Sequence, residues 1–162
     1  MNKKVVFIVH AAVIAALYVV LTLVANALGL ANYAIQVRFS EALTILPLFT
    51  PAAIPGLFIG CILSNFMTGC MLWDIVFGSI ATLLGALGTY LLRKNSKWLA
   101  PLPPIAANTL IVPFILAYVY QFEGSIPYFM LTVGIGEIIS CGILGLLLHN
   151  VLQRYKHVIF HV

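Results

Sequence analysis

Long apolar runs, broken only briefly by polar residues, recur along this chain. No Lys, Arg, Asp or Glu stands between Lys4 and Arg38, between Glu41 and Asp74, or between Asp74 and Arg93. A helix needs about 20 apolar residues to cross a bilayer. Only 7% of the 162 residues are charged and 63% are hydrophobic, against about 25% charged in an average soluble domain. So few charges cannot coat a water-facing surface, and most of the outside must face lipid. The expected fold is an all-α membrane protein. It forms one domain over 1–162, because no polar stretch is long enough for a second, soluble one.

The runs predict six helices. The first covers Val5 to Leu28. A cleaved signal peptide competes there, because Ala25-Asn26-Ala27 resembles a cleavage site, but its apolar part exceeds the usual ~7–15 residues. Gly29 to Val37 reads as a loop with a short amphipathic piece. A short second helix, Phe39 to Phe49, is punctuated by Pro47 and followed by Pro51 and Pro55. It is too short to span unaided, so it must be tilted or shielded by protein near a cavity. The remaining helices are Ala52 to Met67, Trp73 to Leu92, Leu99 to Tyr120 and Pro127 to Leu152.

Charge sets the orientation. The net charge of +4 comes from eight Lys/Arg against four Asp/Glu. Most of the cations form three groups at the ends of apolar runs: Lys3/Lys4, Arg93/Lys94/Lys97 and Arg154/Lys156. That is a membrane-orientation pattern, not a nucleic-acid surface. If all three groups are cytoplasmic, an even number of crossings separates them. Four and then two fits, with both termini inside. Cys61, Cys70 and Cys141 are odd in number and contain no C-x-x-C, so neither a disulfide framework nor a zinc site is expected.

Polar residues inside a membrane need a reason. Glu137 lies ten residues after Pro127, about 15 Å into the membrane. A carboxylate at that depth must be neutralised or face a polar cavity. Pairing with Arg38 and contact with a ligand are the two readings. Asp74 opens the fourth helix, either stabilised by the helix dipole or lining a site. Arg38 and Glu41 are three apart and share a helix face, as an interfacial ion pair or as part of a pocket. Asn26, Asn65, Tyr118, Tyr120 and Gln121 fall at the same outer depth, whereas Glu123 reads as a solvated loop residue. Tyrosines there also fit an interfacial belt. Polar groups converging from several helices point to a small-molecule pocket open to the outside. Ala11/Ala15 and Ala12/Ala16 are small-xxx-small pairs on the first helix. They serve internal packing or docking of another membrane chain. Gly78, Ala81, Gly85 and Gly88 give the fourth helix a small face for internal packing. His10 reads as a hydrogen-bonded interfacial residue.

No Walker loop, H-E-x-x-H or nucleophile elbow occurs, so no catalytic residue is nominated. The chain cannot by itself power transport with ATP.

The stretch Val37-Arg38-Phe39-Ser40-Glu41-Ala42-Leu43-Thr44-Ile45-Leu46-Pro47 resembles the signature of the QueT queuosine-precursor transporter family. Gly60, Asn65, the block Leu72-Trp73-Asp74-Ile75-Val76-Phe77-Gly78, Leu84-Gly85 and Glu137 are similar to further parts of it. The resemblance covers nearly the whole chain. It implies a substrate-binding S component of an energy-coupling factor (ECF) transporter, with six helices and a pocket in the extracellular half. Its implied partners are a membrane coupling subunit and two cytoplasmic ATPases. Those partners use ATP and Mg, and this chain holds no cofactor or metal. Docking on them would use Ala11, Ala12, Ala15 and Ala16. The implied cargo is 7-aminomethyl-7-deazaguanine or queuine, taken up across a prokaryotic cell membrane.

Such a cargo suits the residues. A carboxylate accepts a guanine-like edge in a bidentate manner, a role for Glu137. Glu41 or Asp74 would pair with the aminomethyl cation, Asn65 would read the carbonyl and ring nitrogens, and Arg38 is a further candidate substrate-binding residue. Trp73 or a tyrosine such as Tyr118 would stack on the ring. The rival readings are another flat vitamin-like cargo, a membrane enzyme using Glu137, and a purely structural subunit.

Overall fold

In the computed structural model, residues 2–30 and 35–159 are described. Part of the expected amphipathic piece within 29–37 lies outside them. The described residues are helical and contain no strand. Four helices are long and apolar enough to cross a membrane: α1 (Lys3–Ala27), α4 (Leu72–Leu91, with a 3₁₀ turn to Lys94), α5 (Lys97–Val119) and α6 (Ile126–Ile159). Two are shorter, α2 (Phe39–Leu48) and α3 (Ala53–Met67). These bounds follow the expected ones closely except at α6, which runs past Leu152 to Ile159. Its last turns are polar and basic, so they extend the helix without extending the apolar run.

The short second element is a 3₁₀ helix. At about 2.0 Å rise per residue this form stretches further than an α-helix of equal length. Every residue from Ser40 to Pro47 is buried. An element buried on all sides, its polar Ser40, Glu41 and Thr44 included, sits at the centre of the bundle. It packs on α1, α4 and α6, so protein shields it as its length required.

Small residues set the closest helix contacts. A Cβ placed on Gly56 would lie 2.8 Å from the Ala11 carbonyl oxygen, and one on Gly60 would lie 3.0 Å from that of Ala15. The Ala11/Ala15 edge of α1 is therefore spent on α3. Ala12 and Ala16 face outward and are exposed. Ile14, Tyr18, Leu43, Leu46 and Leu57 fill the core between α1, α2 and α3. The expected small face of α4 is likewise internal, with Gly85 and Gly88 set against Pro104 and Pro103 of α5.

Two helices widen into π-helical stretches, at the end of α5 and in mid-α6. Pro113 cannot donate within α5, and the helix continues through a π-helical stretch at Ile115–Val119. In α6 the segment Ile138–Leu144 is also π-helical and begins directly after Glu137. Such bulges recur at functional sites.

Candidate functional site

One end of the bundle holds a cavity of about 610 Å³. The ends of α1 and α3 contribute Asn26, Asn65 and Thr68, and the start of α4 contributes Asp74. Val112, Leu116 and Phe129 supply apolar wall, and Tyr120 and Phe122 stack with ring centroids 5.6 Å apart. Few polar groups in a largely apolar wall are the ordinary make-up of a small-molecule site.

A narrow recess of about 20 Å³ lies beside it, room for roughly one water. Glu41, Asn108 and Glu137 line this recess alone, while Gln36, Arg38 and Asp74 line both spaces. Gly136 lets this approach form: any Cβ there would overlap the Gln36 carbonyl oxygen. The Arg38 N–H then donates to Ser140 Oγ at 3.2 Å, tying the entry of α2 to α6.

Within the recess the hydrogen bonds form a connected set. Tyr18 Oη donates to Glu41 Oε1. Cys141 Sγ lies 3.1 Å from Glu137 Oε2 and 3.9 Å from Glu41 Oε2. The Asn108 amide lies beside both carboxylates. Glu41, Glu137 and Cys141 offer ligand atoms all within 4.8 Å of one another, a spacing that a divalent ion would also accept. The O–H and S–H donors already account for it.

Above the recess, Tyr120 Oη donates to Asp74 Oδ2 at 2.8 Å and accepts from the Met71 N–H at 3.2 Å. Asp74 Oδ1 and Asn65 Nδ2 both border Gly78, at 3.2 and 3.3 Å from where its Cβ would stand. Asp74 and Asn65 therefore present an acid and an amide to the same part of the cavity.

Five of the expected site residues thus converge: Arg38, Glu41, Asn65, Asp74 and Glu137. Arg38 and Glu137 share the recess, so both readings of Glu137 have a partner at hand. Trp73 and Tyr118 do not join them. Trp73 is 57% exposed and stacks on Phe77. One residue from Asp74 is about 100° round an α-helix, so an inward Asp74 turns Trp73 outward. Tyr118 is 69% exposed and stacks on Phe114, while Tyr120, two residues on, faces the cavity. Glu123, expected to be merely solvated, lines the cavity as well.

Asn108 and Tyr18 were missed as site residues in the sequence. Asn108 lies in mid-helix, nine residues after Leu99. The depth argument that singled out Glu137 applies to it equally. Tyr18 carries no such signal, because one tyrosine on an apolar helix reads as core.

Known proteins match this chain at the level of sequence. The family model described as QueT transporter matches residues 8–154. A queuosine precursor transporter QueT from Lactococcus lactis subsp. cremoris is 31% identical over 144 residues, covering 82% of this chain and 84% of the relative. No solved structure matches. The match spans every helix that builds the cavity, and the cavity opens at one end of an apolar bundle, as a membrane carrier requires: the chain belongs to the QueT transporter family.

Proposed function

We propose that this chain captures a queuosine precursor, a 7-deazaguanine base such as the aminomethyl form or queuine, in the 610 Å³ cavity. It acts as the S component of an ECF importer. A membrane coupling subunit and two cytoplasmic ATPases supply the energy, using ATP and Mg, and the chain itself needs no cofactor. It crosses a prokaryotic cell membrane six times with both termini inside. The observation that carries the reading is the convergence of Asp74, Asn65 and Arg38 on a cavity whose deep end leads to Glu137.

Within this reading the roles divide among these residues. Glu41 is engaged by Tyr18 and Cys141, whereas Asp74 borders the open cavity. Asp74 therefore pairs with the aminomethyl cation, and Asn65 reads the base beside it. Glu137 accepts the guanine-like edge at the recess, which must widen beyond its one-water volume to admit it. Phe129, or the Tyr120/Phe122 pair, stacks on the ring in place of Trp73 and Tyr118. Partner docking falls to Ala12 and Ala16, since Ala11 and Ala15 pack on α3.

Calorimetry on the chain purified in detergent tests this reading, with the aminomethyl-deazaguanine base as ligand and guanine and riboflavin as controls. Tight binding of the deazaguanine alone supports capture of this cargo. No heat from folded protein removes the cargo.

A further inference from the structure

The opposite end of the bundle holds a second cavity, of about 310 Å³. Arg93 follows α4, Lys97 begins α5 and Lys156 lies near the end of α6, and all three line it. Nineteen residues of helix separate Asp74 from Arg93, about 28 Å. That is close to the thickness of the hydrocarbon core, so this cavity sits at the other membrane surface. Its inner wall is apolar. Leu48 and Phe49 close it from α2, with the Phe49 and His149 rings 5.2 Å apart.

Among the described residues, no acidic side chain lines this cavity. The chain has four acids, and all of them line the ligand cavity or its recess. Arg93 and Lys97 have neutral partners. Arg93 donates to the Tyr90 carbonyl at 3.0 Å and lies 3.8 Å over its ring. Lys97 Nζ donates to Asn150 Oδ1 at 3.0 Å. These contacts orient two of the cations and leave their charge uncompensated. Three cations around one hollow repel each other until an anion enters. A guanidinium fork and two ammonium groups match phosphate oxygens. Leu91, two residues before Arg93 on α4, and Val151, five before Lys156 on α6, are exposed and offer apolar surface for acyl chains.

We infer that this basic cavity binds the phosphate headgroup of an anionic phospholipid at the membrane face opposite the ligand cavity. The site is independent of the cargo. Its occupant bridges α4, α5 and α6 at the end where no acid of the chain does so.

Native mass spectrometry of the detergent-purified chain tests it, with phosphatidylglycerol and phosphatidylcholine of identical acyl chains. Phosphatidylglycerol should be retained roughly tenfold or more over phosphatidylcholine. The triple variant Arg93→Gln, Lys97→Gln, Lys156→Gln should lose that preference. Lys3→Gln with Lys4→Gln, which removes charge outside the cavity, should keep it. If the triple variant aggregates, the exposed Arg93→Gln alone should cut the preference about threefold. Equal retention of the two lipids overturns the site. So does equal loss in the Lys3/Lys4 variant, which would make the effect one of bulk charge. Displacement of the lipid by millimolar inorganic phosphate would overturn the lipid as occupant in favour of a soluble anion. Undiminished preference in a folded triple variant would also overturn it, leaving the cations to an acidic partner protein.

Discussion

The phenol of Tyr120 donates to Asp74 Oδ2 at 2.8 Å, joining the end of α5 to the start of α4 across the mouth of the cavity. Tyr120 Oη also accepts from the Met71 N–H, so one hydroxyl fixes both the carboxylate and the turn that precedes it. A hydrogen bond to a charged group contributes about 1.5–3 kcal/mol. Tyr120→Phe keeps the ring and removes the bond. Affinity for the aminomethyl-deazaguanine should fall about tenfold or more in calorimetry. An unchanged Kd would mean that Asp74 needs no positioning, or does not touch the ligand.

The two aromatic rings turned to lipid separate the surface from the site. Trp73→Ala and Tyr118→Ala should leave ligand affinity within about twofold, since surface changes away from special contacts cost little. Glu137→Gln should weaken binding by about a hundredfold, through loss of a charge-assisted bidentate contact. A Trp73→Ala protein that fails to bind while remaining folded would return stacking to Trp73.

The two alanine edges of α1 should behave differently. Gly60→Val forces side-chain atoms against Ala15 and Tyr18, and overpacking of this kind costs about 1–3 kcal/mol. Its thermal midpoint in detergent should drop. Ala12→Leu with Ala16→Leu adds bulk on an exposed face, so midpoint and ligand affinity should hold. If the chain is an ECF S component as proposed, co-purification with a coupling subunit should be lost. Retained co-purification would place docking elsewhere.

Cysteine chemistry offers a probe of the cavity. Cys61 and Cys141 are buried, whereas Cys70 is half-buried and lines the cavity. Thiols react as accessible thiolates. A small water-soluble alkylating reagent should modify Cys70 first, and bound ligand should slow it several-fold. Peptide mapping reads both points. Ligand-independent labelling of Cys70 would put the cargo outside this cavity.

Membrane character, helical class and nearly every helix boundary were legible because they depend on local properties. Charge is absent from each apolar run, and a backbone in lipid must satisfy itself within the segment. The polar set Arg38, Glu41, Asn65, Asp74 and Glu137 was legible for a related reason. Glu137 was singled out by its depth, and the others by their convergence from several helices on the outer end.

Facing was not legible. The step from Asp74 to Trp73 is one residue, yet one side chain enters the cavity and the other meets lipid. Ala11/Ala15 and Ala12/Ala16 are alike in sequence, but only the former pair meets glycines of α3. Asn108 entered the site, and Glu41 was drawn towards Tyr18 and Cys141, by contacts between residues far apart in the chain. Sequence by itself determined which residues can leave water and at what depth, because transfer free energy belongs to each residue and its immediate run. Only the tertiary structure decided which side chains face one another, because helix rotation is set by packing against neighbours that the local sequence does not contain.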